Sequence, residues 1–296
     1  MKSKIFPKKD DQYHESVMIN EVVEEISHIK SPTDKEGKKL KESIRPKVID
    51  VTLGTAGHAK VLMDAGFDVL GIEIDPKILN IAKTRIPEGK FVLGNFSEID
   101  EIAKNNNFSQ VDAILMDLGV SNLHLKNDER GFSFTEVDQA LDMRLNPDVQ
   151  GVTAADMVNA LDKTQLTNLF ARIMKYPHAK EVSEKIFENR PLVTVGDLKR
   201  VVYGIAHKPG LDAATLPMLA LRVAVNSELE NLKEGLNKGY ELLKIGGKLL
   251  VITFHSGEDE IVRQFKKNQW ERRPNEEEIY QNQKARSARL RIFTKS

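Results

Sequence analysis

Cysteine is absent from the 296 residues, which excludes a disulfide framework, thiolate catalysis and any Cys-ligated metal. No stretch comes near the ~20 consecutive apolar residues of a membrane span. The first residues, MKSKIFPKKDD, are polar and lack the apolar stretch of a signal peptide. A cytoplasmic protein with no membrane partner is therefore expected. Net charge is also missing, with 44 Lys and Arg against 44 Asp and Glu, so no global basic field argues for nucleic acid. No pair of His, or of His and Asp, has ligand spacing beside the motifs described below, and no metal is expected. What remains is ordinary, at 40% hydrophobic and 30% charged, enough for one large domain or one domain carrying an insert. Charge is uneven only near the end. Between positions 263 and 295 ten basic residues stand against four acidic ones. Such a segment suits a phosphate backbone or is a solvated tail.

Apolar runs at 47–53, 68–74, 91–94 and 111–116 alternate with helical patterns at 58–65 and 77–85. That rhythm predicts a parallel sheet with right-handed crossovers. From 128 to 213 no convincing strand occurs. Thr153 with Asp156 three residues on, and Thr194 with Asp197, read as N-caps opening helices over 154–161 and 196–206. A long helix is expected over 215–243, with Pro217 near its first turn. A Gly246-Gly247 turn then leads into a fifth strand at 248–254, and 288–293 reads as a last strand. Residues 32–46, rich in Lys and Glu, read as a surface loop. The expected fold class is α/β, with a discontinuous sheet domain (1–127 and 214–296) split by a small helical insertion (128–213).

The segment VIDVTLGTAGHAK, residues 48–60, runs a strand into a glycine-bearing turn. A dinucleotide fold wants G-x-G-x-x-G and a P-loop wants Gly-Lys-Ser/Thr. With only Gly54 and Gly57, both fingerprints fail. An acidic residue, Glu73, ends the second strand, where a carboxylate can hold both hydroxyls of a ribose. The third strand ends in Gly94-Asn95-Phe96 and the fourth in Asp117. Polar and aromatic groups at four strand ends suit an adenosine without phosphates. S-adenosylmethionine is such a ligand, and its cationic sulfonium favours nearby carboxylates. The bland alternatives stay open: a simple tight turn at Gly54 and Gly57, a helix cap at Glu73–Pro76, and a core role for Phe96.

Several segments together resemble one family. They are YHESVMINEVVEEI, VTLGTAGHAKVL, LMDLGVSN, ERGFSF with ALDMRLNP, TAADMVN, LALRVAVNSELENL, LLVITFHSGEDEIVRQF and ARSARLR. In this order, over nearly the whole chain, they resemble the bacterial 16S rRNA cytosine-N4 methyltransferases that act at the decoding site. The resemblance implies a class I, Rossmann-like methyltransferase sheet with an inserted helical domain for RNA-substrate recognition. It also implies methyl transfer from S-adenosylmethionine to the exocyclic N4 of a P-site cytosine. The partner would be small-subunit rRNA or the small subunit itself, with a homodimer left open. Carried over position by position, the cofactor residues are Gly54, Ala56, Gly57, His58, Glu73, Phe96, Asp117 and His124. Ala56 stands where the family has glycine, Glu73 where it has Asp and His124 where it has Gln. On the substrate side the departures are larger. IMKY (173–176) replaces a Tyr-Gly-Glu-Glu segment, DAATLPML (212–219) a His-Pro-Ala-Thr-Arg-Thr-Phe-Gln run, and Gly257 and Glu260 a Leu and an Arg.

The N4 lone pair of cytosine is conjugated with its ring, so the enzyme must position N4 in line with the methyl carbon. It must also offer acceptors to the N4 hydrogens. Asp117 and Asn122 are the candidate acceptors. His255 and Ser256, after the fifth strand, are candidates to relay the proton or hold the base edge, with a structural role as the alternative for His255. Phe132 and Phe134 are candidates to receive an unstacked base, and Arg130 and Arg144 to meet phosphates or base edges. Arg222 and Asn226, four apart on one helix, either wall the site or pin the helix. Two rivals remain. One is an inactive or weakened rRNA-binding assembly factor of the same fold. The other is an enzyme with a different substrate, either a methyltransferase or an NAD-type oxidoreductase.

Overall fold

Along the strands, successive apolar side chains enter opposite layers, and the sheet is buried on both faces. Val48, Val69, Ala113, Leu115, Leu250 and Ile252 belong to one layer. Their neighbours Ile49, Leu70, Ile114, Met116, Leu249 and Val251 belong to the other. Period-2 alternation with both faces covered explains why these strands read as unbroken apolar runs.

The computed structural model describes residues 16–29, 45–126, 128–205 and 210–296. The loop expected over 32–46 therefore falls, up to residue 44, outside the described residues. In chain order the elements are α1 (Ile19–Ser27), β1 (Lys47–Asp50), α2 (Gly57–Asp64), β2 (Asp68–Glu73), α3 (Pro76–Arg85), β3 (Lys90–Leu93), α4 (Ile99–Asn105) and β4 (Val111–Asp117). Then come α5 (Asn122–Lys126), α6 (Ala154–Ala160), α7 (Lys163–Ala171), α8 (Tyr176–Glu188), α9 (Val195–Val202), α10 (Thr215–Val225) and α11 (Glu228–Leu242). The chain ends with β5 (Leu243–Thr253), α12 (Ser256–Phe265), β6 (Trp270–Arg272), α13 (Glu276–Gln281) and β7 (Arg289–Thr294). Two compact units emerge, one of Met1–Gly119 and Glu230–Ser296, the other of Val120–Leu229. The divisions lie outside 128 and 213, so residues 120–127 and 214–229 go with the helical unit.

In the sheet unit the strand order is β3-β2-β1-β4-β5-β7-β6. The first five run parallel, and β7 lies antiparallel between β5 and β6. Strand order reverses between β1 and β4, the place where an open α/β sheet leaves a crevice at its carboxyl edge. The entry to α3 shows how locally this geometry is encoded. Asp75 accepts from Lys77 N at 2.7 Å, Pro76 fills the first turn, and Lys83 and Arg85 close the last.

Three expectations need correction. The helix predicted over 215–243 is two helices, because the chain turns left-handed at Ser227 (φ 49°). The cause is Asn226, whose Nδ2 donates to the Met143 carbonyl at 2.8 Å and whose Oδ1 accepts from Leu145 N at 2.9 Å. The fifth strand begins earlier, at Leu243, and its register with β4 shifts around Gly246-Gly247. The basic segment after 263 is no solvated tail: it supplies β6, α13 and β7. Arg291, only 6% exposed, pairs with Asp259 at 3.0 Å and Glu271 at 2.9 Å. Arg272 pairs with Glu24 and Glu25, Arg263 with Glu260, and Lys295 with Glu241. Much of the local charge excess is spent inside the fold.

The helical unit is built by the caps its sequence announces. Thr153 with Asp156 and Thr194 with Asp197 form reciprocal capping boxes at α6 and α9, and Asp162 with Gln165 forms a third at α7. Among the described residues no helix is long and apolar enough to cross a membrane.

Candidate active site

The turn after β1 is held open by hydrogen bonds from its own backbone to the next strand. Gly54 (φ 53°) donates its N–H to Glu73 Oε2 at 2.8 Å, while Glu73 Oε1 accepts from Asp75 N at 2.9 Å. Arg85 clasps the Thr55 carbonyl at 2.7 Å. Ala56 follows with φ 64°, a region that costs an L residue roughly 1 kcal/mol. Its methyl is fully buried in the same apolar layer as Leu53, Ala59 and Leu62, and that packing offsets the strain. No side chain caps α2, which begins at Gly57.

Three carboxyls gather at these strand ends. Asp50 is buried, with Oδ1 accepting from Thr52 N at 3.3 Å and no partner for Oδ2 among the described residues. Burial pushes its pKa up, the Thr52 N–H opposes this, and Glu73 adds to it, leaving the group at about 7. Asp117 ends β4, its N–H fixed by Thr52 Oγ1 at 2.6 Å. Its Oδ2 faces His58 Nδ1 at 3.6 Å, and its Oδ1 is buried with no hydrogen-bond partner among the described residues. Burial first, then the fields of Asp50, Glu258 and Glu278, hold this carboxyl well above the usual range. His58 is itself buried, and its Nε2 contacts the Val17 carbonyl at 2.9 Å.

His255 has a different occupation from the proton relay considered for it. It caps α12, with Nδ1 accepting from Gly257 N at 3.2 Å and Glu258 N at 3.4 Å. Its Nε2 lies 3.1 Å from Glu258 Oε1, and Glu258 Oε2 accepts from Phe254 N and His255 N in return. Nδ1 serves the helix start, while Nε2 lies near Glu258 with no hydrogen bond among the described residues. Ser256, the first residue of α12, is exposed. Phe96 is half-buried against α11, close enough that a Cβ at Gly235 would meet its ring at 2.6 Å. The core reading of Phe96 thus has a physical basis beside the cofactor one.

The remaining candidates lie in the helical unit and are described within it. Asn122 opens α5. His124 is buried, its ring 5.1 Å from that of Phe132. Arg130 pairs with Asp128 through Nε at 2.8 Å and again through Nη2, and its Nη1 reaches the Arg144 and Leu145 carbonyls at 2.9 and 2.7 Å. Arg144 pairs with Asp142 at 2.7 and 2.8 Å and with the Gln150 carbonyl. Arg222 bridges to Glu228 at 2.8 and 2.9 Å across the Ser227 break. These guanidinium groups are committed internally. Phe134 is half-buried, with Lys199 Nζ 5.4 Å from its ring.

Sequence reasoning passed over Thr52, Glu258 and Val17. The His-x-x-Glu spacing of 255–258 is a capping-box signal that points to Glu258. Nothing local announces Val17.

With this geometry in view, the profile of the MraW methylase family matches residues 11–274 of the chain. The chain belongs to the MraW methylase family. "Ribosomal RNA small subunit methyltransferase H" of Dictyoglomus thermophilum is 38% identical over 265 residues, covering 83% of this chain and 89% of that one. The protein of the same name from Thermotoga neapolitana is 35% identical over 305 residues, covering 96% of each. A solved rRNA methylase from Streptococcus thermophilus aligns with a TM-score of 0.40 at 10% identity, over 85% of this chain and 87% of that one.

The cofactor of this MraW methylase is S-adenosylmethionine, and its residues fit that ligand. Asp50 Oδ2 and Asp117 Oδ1, buried carboxyl oxygens with no hydrogen-bond partner among the described residues, offer acceptors to hydroxyl or amino groups and none of the donors a phosphate needs. Glu73 stands at the β2 end, where a ribose is held in nucleoside-binding sheets, and the uncapped start of α2 leaves backbone N–H groups for a carboxylate. The cofactor supplies an activated methyl group.

Proposed function

We propose that the chain transfers a methyl group from S-adenosylmethionine to the exocyclic N4 of a P-site cytosine in small-subunit 16S rRNA. The observation that carries the reading is Asp117 Oδ1: a buried acceptor with no partner among the described residues, at the end of the strand that flanks the switch point. An aromatic amine with a conjugated lone pair needs such an acceptor for its departing proton more than it needs a strong base. The relatives' names supply the rRNA of the small subunit as the substrate class. In this reading Asp117 accepts from N4, Glu73 and the turn at Gly54–Gly57 hold the cofactor, and the helical unit recognises RNA. Arg130 and Arg144 act there by fixing the loops on either side of Phe132 and Phe134, and Arg222 by bracing the break at Ser227, since their charges are already matched.

The test is methyl transfer from labelled S-adenosylmethionine to purified small subunits that lack the modification, followed by nucleoside mass spectrometry. The expected product is N4-methylcytidine. Label on another base, or none from a preparation that binds the cofactor, contradicts the proposal.

A further inference from the structure

Methylating an exocyclic amine releases one proton into a site whose carboxyls are buried, and that proton needs a destination. We propose that His58, acting through Asp117, takes up the proton released when the amino group is methylated. The inference rests on the methyl-transfer reading above and adds a route that the reading lacks. His255 is less suited to the task, because its Nδ1 caps α12 and its Nε2 is turned towards Glu258 rather than Asp117.

The geometry around His58 sets its tautomer. A carbonyl oxygen can only accept, so Nε2, 2.9 Å from the Val17 carbonyl, carries the ring hydrogen. In the neutral imidazole Nδ1 is then the basic nitrogen, and it faces Asp117 Oδ2 at 3.6 Å. Such contacts are often long before the substrate is in place and tighten in the reacting complex. Burial and the surrounding carboxyls disfavour the Asp117 anion, and in this proposal Oδ2 carries the proton before the reaction. The groups that act on Asp117 are Asp50 from β1, Glu258 from α12 and Glu278 from α13, all acidic. Arg85, from α3, is held at the Thr55 carbonyl.

The step balances as follows. As the bond from N4 to the methyl carbon forms, the carbon–sulfur bond of the bound cofactor breaks with its electron pair going to sulfur. The N4 proton passes to Asp117 Oδ1, the atom without a partner. The proton on Oδ2 passes to His58 Nδ1, and Asp117 ends as it began, a neutral carboxyl. The positive charge that enters on the sulfonium leaves on the imidazolium, so the buried site never changes its net charge. His58 does not touch the reacting nitrogen; it is a positioning residue that also serves as the proton's final stop.

The primary test is the pH dependence of single-turnover methyl transfer in wild type and His58→Gln. Gln keeps an N–H for the Val17 carbonyl and has no titrating group. The expected result, read at saturating cofactor because His58 adjoins the turn that holds it, is a loss on the order of 10²-fold in rate and disappearance of the acidic limb of the wild-type profile. An unchanged pH profile overturns the proposal, as does a rate that saturating cofactor restores to wild type. A second measurement needs no turnover. Imidazole ¹⁵N spectra of the wild-type protein are expected to show His58 with hydrogen on Nε2 and an unprotonated Nδ1 near neutral pH, and the opposite tautomer overturns the relay. Wild-type protein that methylates no cytidine would defeat the proposed function instead, and the tautomer would still decide the geometry claimed here.

Discussion

Asp117 and Asp128 are the same residue type in opposite electrostatic circumstances. At the sheet edge, Asp50 is buried and Asp117 half-buried among other carboxyls, and both are held above their ordinary range. In the helical unit, burial also pushes Asp128 and Asp142 up, but hydrogen bonds from Arg130 and Arg144 outweigh it and hold both below that range. The matched pairs stabilise loops. The unmatched group costs stability, and in a folded protein such a cost marks a site that something else must complete.

The largest effect expected from this contrast is catalytic. Asp117→Ala should reduce single-turnover methyl transfer by roughly 10³-fold, as loss of a proton acceptor does, with the far-ultraviolet spectrum unchanged. Near-wild-type turnover would remove Asp117 from the chemistry.

Next is the pH dependence of stability. Asp50 has a folded-state pKa of about 7 against a usual 3.8, so the folded protein binds the extra proton. Its contribution is therefore present at low pH and lost as pH rises from about 4 to about 7, by about 4 kcal/mol at most. Asp50→Asn should flatten the fall in Tm over that window; an equal slope in both proteins would put the carboxyl's ionisation elsewhere. Asp128, held low, runs the other way. Its contribution is present above its unfolded pKa and lost as pH falls through the folded one.

Breaking a matched pair should cost somewhat less. Asp128→Ala leaves the Arg130 guanidinium, 8% exposed, without its counterion, a change of about 3 kcal/mol. Urea unfolding should show that loss, while the cofactor Kd stays near wild type. The smallest effect is at the caps. Thr194→Ala should cost about 1 kcal/mol, and a cost as large as that of Asp128→Ala would mean that the ion pairs are not what holds this unit together.

Features whose partners are near in sequence could be read before the structure. The capping boxes at Thr153 and Thr194 need only the residue three places on. The turn at Gly54–Gly57 and the acidic end of β2 announce themselves by type and place. Features whose partners are distant could not be read. Asn226 breaks a helix pattern by bonding to Leu145 and Met143, and Arg291 is buried because Asp259 and Glu271 meet it there. A basic composition near the end of the chain carries no mark of those pairings. The same distance leaves Val17 unmarked as the partner of His58, since 41 residues separate the two. At His255 the short-range signal was present in Glu258, but a histidine at a strand end suggests chemistry first and a cap second.

The central claim is that Asp117 serves the reaction against the interest of the fold, and one substitution separates the two. Asp117→Asn removes the ionisable group while keeping the side chain's size. Rate and Tm should be measured on the same preparation at pH 8. The account predicts that methyl transfer falls by roughly two orders of magnitude or more while Tm rises, because at this pH folding no longer works against the ionisation of a carboxyl whose anion burial and neighbouring carboxyls disfavour. A variant that loses stability along with activity, or that keeps its activity, contradicts it.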